Sequence, residues 1–376
     1  MKRLLPLFLV IFLILGGCAP QSENPPVLPP ADDTSNQTPV VPDTPQGDNE
    51  IPDMPTPDPV VAYRNPLNGA PLETPYLGRP VAVMLNNIKE AMPQFGVSKA
   101  DILYEVLAEG GVTRCMGIFS DISNVNSVGS IRSARKYYVQ LAQAYQAIYL
   151  HFGGSEEALN YLKNIGWNDI DGSNGGDCYF FDKNRNNHGY ASYHCWFATG
   201  SKVLPYAEKL HFKTQYDTEK SYGMTFNDDK IIVGGSGNKV VVNFHLNGPA
   251  TANAKKTTLT YNTETKTYFA HQSGNSHGNG SNYVDGATGE TLDFRNVLVL
   301  RAASALQADN YLLTVNTVGS GTGYFLCNGY SVPISWSRAS ANDPFTYTLE
   351  NGDPVTFGVG STYIAVVPTG ATVSIT

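Results

Sequence analysis

From Arg79 onward, short apolar runs alternate with amphipathic stretches and breaker residues. Val81 to Leu85 is an unbroken apolar run of strand length. Asp101 to Leu107 and Thr113 to Phe119 flank Glu109-Gly110-Gly111, a pattern that predicts a hairpin. Ser133 to Tyr145 has helical spacing, and Ala147 to His151 returns to a strand. Ser155 followed by Glu156 and Glu157 has the form of a capped helix start, and Lys202 to Leu210 reads as a further helix. Strands and helices interleaved in this way predict an N-terminal α/β layered domain over residues 61–215.

Beyond Tyr222 the period changes. Val240 to Phe244, Thr257 to Tyr261, Thr267 to His271, Val297 to Arg301, Tyr311 to Val315, Gly323 to Cys327, Phe345 to Leu349 and Tyr363 to Val367 are short β-branched or aromatic runs divided by Gly, Asn, Asp and Pro. They predict a mainly β C-terminal domain over residues 221–376, and an α+β fold for the whole. Gly319-Ser320-Gly321-Thr322-Gly323 has the glycine density of a nucleotide loop, but no helix follows it, so it reads as a hairpin turn.

The amino terminus has a different character. Lys2 and Arg3 precede an apolar run from Leu4 to Leu15, and Leu15-Gly16-Gly17-Cys18 resembles the lipobox at which bacterial lipoproteins are cleaved and acylated. Residues 1–18 therefore read as a lipoprotein signal peptide with Cys18 as the lipidated residue. Several acyl chains, each methylene contributing about 0.8 kcal/mol, hold a protein to a bilayer without a span. The expected location is the extracytoplasmic face of the cell membrane. Residues 19–60 carry twelve of the 24 prolines, eight acids, no Lys or Arg and no aromatic residue. Such a segment buries too little apolar surface to offset its ordering entropy, and is expected to be a disordered tether.

With that segment set aside, the 23 basic and 25 acidic residues of 61–376 leave the body at a net of −2. A body this close to neutral has no global positive field for a phosphate backbone, which argues against nucleic-acid binding. Outside the membrane disulfides persist, and Cys115, Cys178, Cys195 and Cys327 allow three pairings. Cys178 with Cys195, across a Gly- and Asn-rich loop, is the candidate pair; Cys115 and Cys327 lie in strand patterns and read as small core residues.

The candidate chemistry lies where strands meet helices. Val128-Gly129-Ser130-Ile131-Arg132-Ser133-Ala134-Arg135 sets two guanidinium groups near a helix start, where anions are favoured. His151-Phe152-Gly153-Gly154-Ser155 forms a similar junction, and Asn86 with Asn87 ends the first strand in a comparable position. If these strand ends share one edge, the loops converge on a polar site. The competing reading pairs Arg132 and Arg135 internally with Glu105 or Glu109. His151 and His188 are the candidates for a general base, or for zinc, although their spacing is that of no ligand motif and a structural role suits each. Asp169, Asp171, Asp177 and Asp182 surround a glycine-rich turn, but Asn174 and Phe180 stand where a calcium loop needs Gly and Glu. No nucleophile elbow, zinc helix motif or phosphate loop occurs, and no cofactor is implied.

The ordered series Arg79 to Met84 with Asn87, Ala100 to Glu105, Glu109 to Arg114, Val128 to Arg135 and His151 to Ser155 resembles the YerB-like lipoproteins, the domain-of-unknown-function family 3048. The resemblance continues through Asn296-Val297, Gly319 to Gly323, Asn328-Gly329, Trp336 and Gly360 to Ile364. It implies an anchored bacterial lipoprotein with an N-terminal and a C-terminal domain and no established activity. This chain has His188 to Tyr193 where the family tends to have Pro-His-Asn, and Ser281 to Asp285 where it tends to have Pro-His-x-Asp. The departures imply a chain that keeps the fold without any histidine chemistry of those motifs.

The expectation is a tethered protein that binds an anionic or polar envelope ligand through Asn86, Asn87, Glu105, Arg114, Arg132, Ser133, Arg135, His151 and Ser155. The alternatives are an envelope hydrolase or transferase using His151 or His188, and a component that docks an envelope protein.

Overall fold

The computed structural model describes residues 63–230, 232–246, 254–309 and 311–376. The signal peptide, Cys18 and the tether expected over 19–60 lie outside the described residues.

An eleven-stranded sheet organises the body. Its order runs Gly235–Ser236, Tyr330–Arg338, Gly319–Cys327, Asn296–Ala302, Thr362–Pro368, Ile102–Leu107, Thr113–Phe119, Val81–Asn87, Ile148–His151 and Asp169–Asp171, with Thr346–Leu349 added beside Tyr330–Arg338. Every residue of Val81–Asn87, Ile102–Leu107, Thr113–Phe119 and Thr362–Pro368 is buried. These central strands are covered on both faces, which is why they read as continuous apolar runs. The join between the two halves of the chain is itself a strand pairing: Thr362 to Val366 lie parallel to Ile102 to Val106. A six-stranded sheet built on Lys239–Phe244, Lys255–Asn262 and Thr267–Ser273 belongs to the second half.

Strand outweighs helix throughout. Within the first half, βα winding is confined to Val81–Asn87, Ile148–His151 and Asp169–Asp171, parallel neighbours reached through helices Lys136–Ala144 and Glu156–Ile165. The hairpin of Ile102–Leu107 with Thr113–Phe119 is antiparallel as expected, so a layered α/β arrangement does not describe that half as a whole. The helix expected from Ser133 begins only at Lys136. Arg132 N donates to Met84 O and Ala134 N to Gly153 O, which holds the preceding residues as an extended strap between two strand ends.

Two further expectations are corrected. Gly319 to Gly323 is not a turn but the first part of the Gly319–Cys327 strand, paired with Ile334 to Arg338. A side chain at Gly321 would fall against the Arg301 carbonyl and the Trp336 indole, so glycine serves close packing there. The turn is Asn328-Gly329, with φ of 57° and 77°, the left-handed pair that a two-residue hairpin requires.

Cys178 and Cys195 are separate buried thiols. Trp196 pairs with Phe181 and Ala198 with Tyr179, so the cysteines stand at opposite ends of an antiparallel pair. Four strand positions separate them, about 13 Å, beyond the roughly 7 Å a disulfide spans.

Candidate functional site

The strap Ser130 to Arg135 carries the arginines, and it divides them. Arg135 reaches Glu109 with Nη2 at 3.0 Å and a second, shorter bond from Nε. Arg114 donates to the same carboxylate at 3.1 Å and to the Ser133 carbonyl at 2.7 Å. Burial alone would raise the Glu109 pKa, but the Arg135 hydrogen bond and the Arg114 charge bring it below the usual carboxylate range. Arg114 and Arg135 are thus internal partners of Glu109 and are corrected as ligand contacts; the competing reading, which paired Arg132 and Arg135 internally, holds for Arg135 and not for Arg132.

Arg132 differs. It is half-buried, and its guanidinium makes no hydrogen bond or ion pair among the described residues; it lies 5.1 Å from the centre of the Tyr193 ring. Burial, and then the neighbouring Arg114 charge, lower its pKa. Three guanidinium groups against one carboxylate leave an excess of positive charge at this rim.

Tyr193 and His194 line a cleft of about 780 Å³ together with Lys89, Glu90, His188 and Tyr190. His194 is almost fully buried, and the Asn86 side-chain amide donates to its Nδ1 at 2.8 Å. That bond uses the Nδ1 lone pair and leaves the ring proton on Nε2. Burial, and then the Arg132 charge, lower the His194 pKa to about 4. At neutral pH the ring is therefore an uncharged N–H donor beside a free guanidinium and an exposed lysine.

Of the expected site residues only His188 lines this cleft; Asn86 and Arg132 touch its lining residues, Asn86 through His194 and Arg132 through the Tyr193 ring, and the others do neither. Glu105 is sealed in the interior. Its carboxylate meets Lys255 at 3.0 Å and accepts from Thr113, Thr257, Tyr363 and Asn87. Burial opposes its ionisation, but Lys255 and these donors overcome that and lower its pKa. Asn87 belongs to the same network, so both are corrected as ligand contacts.

His151 is also sealed, with Nε2 3.0 Å from Asp169 and Nδ1 2.8 Å from the Gly153 carbonyl. Both ring nitrogens are engaged, which removes it as a base. The Ser155 hydroxyl caps helix Glu156–Ile165 by accepting from Ala158 N. Ser133 is half-buried on the strap, its carbonyl occupied by Arg114. His188 is exposed and turns Nδ1 to the Asn184 carbonyl. Among the described residues no three His, Cys, Asp or Glu side chains converge as a metal site.

Sequence reasoning missed His194, Tyr193 and Lys89. His194 is the residue immediately after the stretch compared with the family's Pro-His-Asn. Asp285, at the end of the other stretch, is buried and accepts from Gly96 N, Ser98 N and Ser98 Oγ, fastening the second half of the chain to the first. A larger groove of about 870 Å³ is walled mainly by apolar side chains, among them Phe244, Leu306 and Tyr311.

The sequence and its fold belong to a recognisable family. Residues 67–213 match the N-terminal domain, and residues 248–364 the C-terminal domain, of the protein family of unknown function DUF3048; the chain belongs to that family. It is 27% identical over 318 residues to YerB of Bacillus subtilis (strain 168), a protein whose name assigns it provisionally to the lipoproteins. The match takes in 83% of this chain and 88% of YerB. The crystal structure of Bacillus subtilis YerB superposes with a TM-score of 0.68 at 25% identity, over 83% of this chain and 99% of the other. Among the described residues no helix is long and apolar enough to cross a membrane.

Proposed function

We propose that this protein is a lipid-anchored extracytoplasmic receptor that holds an anionic group of a cell-envelope ligand in the His194 cleft. The observation that carries the reading is Arg132, a half-buried guanidinium with no carboxylate partner among the described residues, while Arg114 and Arg135 share Glu109. A buried charge is ordinarily paired, and a free one beside a cleft is a docking point for an anion. His194 adds an uncharged donor, Lys89 a second cation, and Tyr193, 53% exposed, a ring face; the exposed Glu90 is the one carboxylate in the lining.

The same geometry favours binding over turnover. The Nδ1 lone pair of His194 is taken by Asn86, and a ring with a pKa of about 4 is a weak base at neutral pH. Anchoring rests on the Cys18 motif and on the lipoprotein name of the relative.

The test is titration of the purified full chain with glycerol phosphate as the probe anion. Binding is expected at millimolar affinity or tighter, weakened at least about tenfold in Arg132→Ala. A wild-type chain that binds neither glycerol phosphate nor acetate nor extracted anionic envelope polymer overturns the reading.

A further inference from the structure

Across the Lys89–Ala91 turn from the His194 cleft lies a separate cavity of about 400 Å³, with Lys89 in the walls of both. Met92 and Pro93 form one side; Gln272, His277, Tyr283 and Val284, from the second half of the chain, form the other. The two halves thus meet around it.

Two polar side chains of this cavity are nearly sealed by protein and each keeps an acceptor atom without a partner among the described residues. Gln272 lies on the inward face of the Thr267–Ser273 strand and is 2% exposed. Its side-chain oxygen is buried without a hydrogen bond, and its amide makes none elsewhere among the described residues. His277 is 6% exposed and sets Nε2 3.1 Å from the Asn87 carbonyl. A carbonyl only accepts, so Nε2 carries the proton and Nδ1 keeps a lone pair with no partner among the described residues. Burial, and then the Lys255 charge, lower the His277 pKa, which keeps the ring neutral. Tyr283, by contrast, is spoken for: its hydroxyl donates to Gln94.

Buried polar groups in folded proteins are almost always satisfied, and those that are not call for an explanation. Here one such group, the Gln272 amide oxygen, borders the cavity together with an imidazole lone pair that no described residue takes. An anion could take the Gln272 amide N–H but would face both acceptors. A cation would sit near the Lys89 ammonium. An uncharged donor meets neither objection, and Met92, Pro93 and Val284 supply apolar contact for the carbon skeleton beside it.

We infer that this cavity is a second ligand subsite, which takes an uncharged group presenting N–H or O–H donors to Gln272 and His277. The subsite stands independently of the anion cleft; Lys89, common to both, is where one molecule filling the two would pass.

The experiment titrates the purified full chain with three neutral probes. Chitotriose carries acetamido groups and hydroxyls, maltotriose hydroxyls only, and N-acetylalanine methylamide amides only. At least one should bind with a dissociation constant below about 10 mM. Its affinity should fall at least about tenfold in Gln272→Leu and in His277→Phe, and stay within about twofold of wild type in Arg132→Ala. The last arm separates this subsite from the anion cleft, and the probe that binds identifies the donor. Free Gln272→Leu should melt at or above the wild-type temperature, because it removes an unpaired amide from the interior. The inference is overturned if no probe binds, if Gln272→Leu binds as wild type does, or if Gln272→Leu melts several degrees lower.

Discussion

Asn86 and His194, 108 residues apart, meet at 2.8 Å between the Asn86 side-chain nitrogen and the imidazole Nδ1. The contact ties the end of the Val81–Asn87 strand to the short turn Ser192–His194 and sets which ring nitrogen carries the proton. Asn86→Asp places a carboxylate against that nitrogen and should raise the His194 pKa from about 4 to above its ordinary value of about 6.5. Histidine proton shifts followed against pH report this; a His194 that still titrates near 4 in the variant contradicts the assigned contact.

The acid limb of stability follows from depressed pKa values. His194 is lowered by burial and by Arg132, so the folded state binds fewer protons than the unfolded chain between about 6.5 and about 4. Its contribution is fully present above 6.5 and is lost as pH falls toward 4. Glu105 and Glu109 are also lowered, so their contributions are present above the ordinary carboxylate value and are lost as pH falls through their folded values. Denaturant midpoints should therefore decline from pH 6.5 downward and more steeply below about pH 4.5. Midpoints that rise on acidification contradict this.

Lys255 and Glu105 form a buried pair that joins the two halves of the chain, with Tyr363 and Thr257 on the same carboxylate. Removing one member leaves the other charge buried. Lys255→Met should cost about 3–5 kcal/mol in urea unfolding, and Glu105→Leu combined with Lys255→Met should recover most of it. A Lys255→Met chain within about 1 kcal/mol of wild type contradicts the pairing.

The cysteines give a simple check. Cys115, Cys178, Cys195 and Cys327 are all buried free thiols, so reductant should leave the melting temperature unchanged, and unfolding should expose four reactive thiols in the body. A melt lowered by reductant contradicts the register of the strands that hold Cys178 and Cys195 apart.

How much of this was legible depends on how local each signal is. Val81–Asn87, Ile102–Leu107 and Thr113–Phe119 announce themselves because strands covered on both faces need unbroken apolar runs. The parallel pairing of Thr362–Pro368 with Ile102–Leu107 has no local signature, since its partners are distant in sequence and no turn links them. Gly319 to Gly323 misled because glycine marks turns and close strand packing alike. Among the arginines, residue type alone cannot say which one Glu109 claims; the extended strap decides, turning Arg135 inward and leaving Arg132 on Tyr193. His194 gains its meaning only from Asn86, and no spacing rule connects the two.

The division of labour between Arg132 and Arg135 is tested most directly by measuring both alanine variants side by side, for thermal melting and for glycerol phosphate binding. Arg132→Ala should lose the ligand and melt within about 2 °C of wild type, whereas Arg135→Ala should melt several degrees lower because Glu109 loses a buried partner. The opposite pattern, an Arg132→Ala chain that melts low and binds the anion as wild type does, would contradict the account.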